Sequence, residues 1–257
     1  MTRAVSEPGE QVGWWLKIAD VFEEKLDDPA QALEAVLRAF GLDPDDASLL
    51  DRVDRLAVAA ENWQRLATVY GVLSKRQKSG EQRIELLSRY ARVLHEDGGQ
   101  ASAAYDVALK AFEIDPRSED LLATVERIGT DAKRWDDLVK IYNAVANLVE
   151  DDARKADLKL RAENVLRDEI EDADGALTTA VEVLGLDPFS EEISGSVFTM
   201  VAELEDALLT SEKGIYWRRL IEVYRKLVTD YRHERERQVE LLLTVARVHA
   251  ERLGDDE

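Results

Sequence analysis

Apolar residues along this chain fall at steps of three and four. Between positions 49 and 73 they run Leu49, Val53, Leu56, Ala60 and then Leu66, Val69, Tyr70, Leu73. That is the period of a buried helical stripe, not the alternation of a strand. The breaks between such runs are short. Proline after Asp43 and after Asp115 disfavours α geometry in the residue before it and removes a donor from the ladder. Gly98-Gly99 releases the backbone at another junction. The pattern predicts helices over 47–60, 62–77, 80–97 and 99–113 in this stretch.

The pattern repeats. Leu42-Asp43-Pro44 returns as Ile114-Asp115-Pro116 and as Leu186-Asp187-Pro188, 72 residues apart each time. Segments 9–44, 81–116 and 153–188 then align without a gap, matching Ala32 with Ala104 and Ala176, Val36 with Ala108 and Ala180, and Ala39 with Ala111 and Val183. Trp63, Leu66 and Tyr70 return as Trp135, Leu138 and Tyr142, and again, 82 residues on, as Trp217, Leu220 and Tyr224. The third copy therefore carries about ten extra residues, expected at an inter-helix turn within 205–214. Small residues at helix contacts let backbones approach, while Trp, Tyr and Leu fill wider gaps, so these positions read as core. One helix pair cannot bury its stripe alone and must stack on its neighbours.

A helix pair here occupies about 36 residues, near the repeat length of the tetratricopeptide family. The stretch Ala104-x3-Ala108-x2-Ala111-x4-Pro116 resembles the second helix and terminal proline of that repeat, and Tyr90-Ala91-x2-Leu94 resembles its first helix. Ile18-Ala19-x2-Phe22 with Ala32-x3-Val36-x2-Ala39-x4-Pro44 fits equally well, whereas the alternate repeats lack the proline and open their second helix with Trp63, Trp135 or Trp217. The resemblance, to a bacterial multi-repeat array, covers nearly the whole chain. It implies an all-α fold, a right-handed superhelical solenoid of about 6.5 helix-turn-helix repeats. Their boundaries fall at 11–44, 47–78, 80–116, 119–150, 152–188, 191–232 and a half repeat at 234–257, after a polar segment at 1–10. Ala246-Arg247-Val248 aligns with Ala19-Asp20-Val21, and the last helix is apolar over a wide arc. A fragment of a longer array is the expectation from that exposed arc and from Trp14, Trp15, Leu16 and Ile18 at the other end.

The charge narrows the partner classes. With 34 basic and 54 acidic residues, the formal charge is −20. Such a surface repels phosphate backbones and anionic lipid, so neither nucleic acid nor membrane insertion is expected. No apolar run is long enough to span a bilayer, and residues 1–10 lack a secretory pattern, so the expected location is cytoplasmic. The sequence has no cysteine, which excludes disulfides, thiolate metal sites and a cysteine nucleophile.

A search for chemistry finds no catalytic constellation. His95-Glu96 and His233-Glu234 start a zinc-protease motif, but neither has a second histidine four residues on. The acidic runs at 43–46, 150–152 and 169–174 lack calcium-loop spacing and read as charge favouring helix starts. No phosphate loop or nucleophile elbow occurs. No catalytic residue, cofactor or metal is expected, and the chain is not expected to be an enzyme.

What remains is binding. Counting from the matched alanines, the concave lining of the solenoid should include Asp20, Glu23 and Glu24, then Ser88, Arg92 and His95, then Asn164, Arg167 and Asp168. From Arg218 to Arg237, seven cations oppose four carboxylates, making Arg232 and Arg235 a candidate basic patch, unless pairs such as Glu222 with Lys226 neutralise it. The expected function is a non-catalytic scaffold holding a peptide or protein partner in the concave groove. The alternatives are a regulatory or sensor segment of a larger enzyme or transcription factor, and a structural arm that self-associates through its repeat ends.

Overall fold

The computed structural model describes residues 8–209 and 212–254. The first seven residues of the polar segment, two residues of the insertion and the last three of the half repeat lie outside the described residues. Thirteen α-helices and no strand are found among the described residues: α1 (Pro8–Glu24), α2 (Pro29–Leu42), α3 (Ala47–Ala59), α4 (Trp63–Arg76), α5 (Gly80–Arg92), α6 (Ala101–Phe112), α7 (Glu119–Asp131), α8 (Trp135–Ala146), α9 (Asp152–Asp168), α10 (Ala173–Leu186), α11 (Glu191–Ala207), α12 (Ile215–Asp230) and α13 (Arg235–Val248). Within α1–α7 and within α8–α13, consecutive helices pack on one another. This is an all-α helical repeat array. Contacts group into two units, one holding α1–α7 and one holding α8–α13, with the division after Ala132.

The turns repeat as the residues do. After α1, α5 and α9 the chain passes through left-handed backbone at Asp27 (φ 49°), Gly99 (φ 62°) and Glu171 (φ 59°). In each case the next N–H reaches back to the helix: Asp28 to Phe22, Gln100 to Leu94 and Asp172 to Leu166, at 2.8–2.9 Å. Glu61 (φ 50°) and Lys133 (φ 54°) take the same left-handed conformation after α3 and α7. Glycine takes this conformation freely while other L-residues pay for it, so only the Gly98-Gly99 break was visible beforehand. The acidic junctions do cap helices. Asp28, Asp46, Asp151 and Asp172 accept from the N–H of Gln31, Ser48, Arg154 and Gly175, at 3.0, 2.8, 3.1 and 2.9 Å.

The matched positions form the core. Ala32, Ala104 and Ala176 are buried, as are Val36, Ala108, Ala180, Leu66, Leu138, Leu220, Tyr70, Tyr142 and Tyr224. The tryptophans divide. Trp217 is buried, but Trp63 and Trp135 are half-buried at the first residue of their helices. Trp63 lies over Gly98, where a Cβ would come within 2.7 Å of its ring.

Two details differ from the sequence expectation. The insertion is not confined to a turn, because α11 runs on to Ala207 and takes Glu205 with it. In the last helix, Ala246 is exposed while Leu241 and Val248 are buried. Its helical register therefore does not follow Ala19, which is fully buried. Both α5 and α13 end in a single π turn, Val93–Asp97 and His249–Leu253, whose extra residue rotates the helix face.

Candidate partner-binding face

In the unit holding α1–α7, side chains join the first helix of each repeat to the next. Arg52 of α3 donates to Asp20 at 2.7 Å and to Glu23 at 3.0 Å on α1, and Arg55 donates to Glu23 as well. The Arg55 guanidinium holds the Glu23 carboxyl below the usual carboxylate range, against the effect of burial. Arg89 of α5 reaches α3, meeting Asp51 at 2.7 Å and Asp54 at 2.6 Å. His95, in the π turn, lies 2.7 Å from Asp131 and 3.0 Å from Arg127 on α7 through its two ring nitrogens.

The Arg89 contact has a buried floor. Asp54 accepts from the Tyr70 hydroxyl at 2.9 Å, and the Tyr70 ring stacks on Tyr90 with centroids 4.5 Å apart. Burial raises the Asp54 pKa, with the hydrogen bonds from Arg89 and Tyr70 opposing it. Burial also raises the Tyr70 phenol, and the Asp54 charge pushes it further. A cleft of about 560 Å³ opens beside this floor, lined by Asp51, Asp54, Arg55, Val58, Arg89, Arg92, Val93, Glu96 and Asp97. Arg92 is exposed there and has no ion-pair partner among the described residues. Glu96 is 3.6 Å from Arg127.

The candidate lining residues therefore separate by role. Asp20, Glu23 and His95 are engaged in helix-to-helix contacts. Glu24 is exposed and Ser88 half-buried, and neither lines the cleft. Arg92 lines it with its charge open. Arg52, Arg55, Asp54 and Arg89 were missed because their meaning depends on the neighbouring repeat. Their spacing from the matched residues could have flagged them as facing the next first helix.

In the unit holding α8–α13, Asn164, Arg167 and Asp168 do come together. Arg167 donates to Asn164 at 2.8 Å, to Asp168 at 2.9 Å and to Glu163 at 2.7 Å. The hydrogen bond to Asp168 raises the Arg167 pKa, and the same contact lowers that of Asp168. Glu163 stands where the earlier copies have the packing alanines Ala19 and Ala91. It is only 2% exposed, and burial raises its pKa against the charge of Arg167. The repeat alignment marks this acidic residue at an alanine position.

Arg232 and Arg235 flank the turn from α12 to α13, both exposed. Arg232 donates to the His233 ring at 3.0 Å. Nearby Arg237 is occupied, meeting Glu234 at 2.8 Å and lying over Phe189, and at the other end of α12 Arg219 donates to Thr178 at 2.7 Å. Glu222 pairs with Arg225 at 3.1 Å, not with Lys226. The three-residue step brings that guanidinium to the carboxylate. Among the described residues no cluster of three or more His, Asp or Glu could hold a metal, and no helix is long and apolar enough to cross a membrane.

No family model and no curated protein matches the chain. Solved structures do match, among them a thermophilic tetratricopeptide-repeat protein of Thermus thermophilus. It is 16% identical, with 74% of this chain and 99% of that chain covered, at a TM-score of 0.32. The assignment as a helical repeat array rests on the recurring residues and turns described above.

Proposed function

We propose that this protein is a non-catalytic scaffold that holds a peptide or protein segment against the first-helix face of its α1–α7 unit. The observation that carries this is Arg92, an open cation in a cleft of about 560 Å³ whose other cations, Arg55 and Arg89, are bound to carboxylates. Helix-to-helix contacts keep the face in register, so it meets a partner already ordered, which lowers the cost of binding. A partner carboxylate is the natural counter-charge for Arg92, and an extended or helical segment is the ligand form that suits a face built from successive helices.

The test is a randomised peptide array probed with the full chain. Peptides carrying an acidic residue should be retained, lost with Arg92→Glu and kept with Arg235→Glu. Equal retention by both variants would sink the reading.

A second reading is supported by exposed apolar side chains on α1 and α13, namely Trp14, Ile18 and Val21, and Val239, Leu242 and Leu243. These suit self-association of a structural arm. Sedimentation across a hundredfold range of concentration distinguishes the two, since only the second demands that the mass rise with concentration and that Leu243→Glu abolish the rise.

A further inference from the structure

The repeat supplies an internal comparison at one packing position. Trp14, Leu86 and Leu158 are equivalent at the 72-residue spacing. Leu158 is fully buried, in a first helix packed on the helix before it. Leu86 also has a helix before it, α4, yet it is only half-buried. Beside it lies a pair of adjoining, solvent-open clefts of about 300 and 480 Å³ that share Leu50, Gln77, Glu85 and Leu86. In unit α8–α13 the matching position is closed by the protein's own side chains. In unit α1–α7 it is open.

The slot has a defined chemistry. Its floor is apolar, from Leu50, Leu73 and Leu86. Its rim carries Asp45, Asp46 and Glu85, against Arg76, which lies 3.8 Å from Asp45. On its far side Arg89 is already held by Asp51 and Asp54. The start of α3 lines it at Ala47, but Asp46 caps that helix, so it does not invite a carboxylate.

We propose that the α4–α5 junction is a second docking site. It takes one branched aliphatic side chain of a partner peptide, with an adjacent Lys or Arg lying on the Asp45 and Glu85 rim. The aliphatic group completes the packing that Leu158 finds within its own unit. The adjacent cation meets the excess of rim carboxylates, which sets this site apart from the Arg92 cleft and its demand for an acid. The proposal stands independently of that cleft, because substitutions at Glu85 or Leu86 leave Arg92 untouched.

The experiment uses the full chain with 13C-labelled leucine methyls. A soluble paramagnetic agent should broaden the Leu86 methyls and spare those of Leu158. Titration with N-acetyl-leucyl-arginine amide should then give saturable shifts at Leu50, Leu73 and Leu86. N-acetyl-glycyl-arginine amide should give none, and N-acetyl-leucyl-glutamate amide should bind several-fold more weakly. Glu85→Lys should weaken the leucyl-arginine probe roughly five- to tenfold, the range of a reversed exposed ion pair. Leu86→Phe should fill the slot and remove the shifts while Leu158 stays unchanged. Equal protection of Leu86 and Leu158, or shifts that are absent or the same for all three probes, would overturn the proposal.

Discussion

Arg89 reaches from α5 to Asp54 on α3 and closes to 2.6 Å on a carboxylate that is 7% exposed. Removing the cation leaves that charge in a site with Tyr70 as its remaining hydrogen-bond partner among those described. Arg89→Met should cost about 2 kcal/mol, below the range for a fully buried pair because the Arg89 side chain is one-quarter exposed. Tyr70→Phe should cost about 1.5 kcal/mol, the low end for a hydroxyl that donates to Asp54 at 2.9 Å and accepts from Arg89 at 3.0 Å. Urea midpoints of the two variants check the order.

Glu205 offers a second measurable contact. Its carboxylate is 5% exposed and accepts from the N–H of Gly214 and Tyr216 at 2.6 Å and of Trp217 at 3.3 Å. Gly214, at the cap position of α12, has no side chain to do this. Glu205→Ala should destabilise the protein by about 1–2 kcal/mol and speed hydrogen exchange at those three amides. Protection unchanged at Tyr216 and Trp217 would contradict the capping role.

A Cβ at Gly98 would lie 2.7 Å from the Trp63 ring and 3.0 Å from the Leu94 carbonyl oxygen. Gly98→Ala should therefore cost about 1–3 kcal/mol from overpacking. Adding Trp63→Phe should restore part of that loss. Additive losses in the double variant would show that the ring is not what the Cβ meets.

Glu163 should leave a signature in pH dependence. Its folded pKa is raised above the ordinary value of 4.5, chiefly by burial. The folded state therefore binds this proton at a higher pH than the unfolded chain, and the contribution is fully present below the unfolded pKa. It is lost as pH rises through the folded pKa. Compared with Glu163→Gln, the native protein should gain relative stability between pH 7 and pH 4.5. Glu23 and Asp168, whose pKa values are lowered, act oppositely, giving stability above their unfolded values that is lost in acid. Thermal melts of native and Glu163→Gln protein at several pH values separate the two directions.

Much of the fold was legible because a helix stripe and its breaks are local. The alanines at 32, 104 and 176 and the tyrosines at 70, 142 and 224 were placed in the core by spacing, and all six are buried. The tryptophans at 63 and 135 were placed there too, yet they sit half-buried. Hydrophobicity fixes which face a residue occupies, but not how far the next turn covers it. Of the candidate lining residues, Arg92 alone lines the cleft. Asp20 and Glu23 look like free acids in sequence and meet Arg52 only because α3 lies beside α1.

The sequence by itself determined the period, the helical class, the acidic charge and the absence of thiol chemistry. Each depends on residue type and on spacing within a few turns. Tertiary structure decided which charges remain open and which junctions close. Both depend on side chains brought together from positions some thirty residues apart, as with Arg89 and Asp54. Equivalent leucines at 86 and 158 differ in burial because their neighbours across the helix junction differ, and that can be read only where the helices meet.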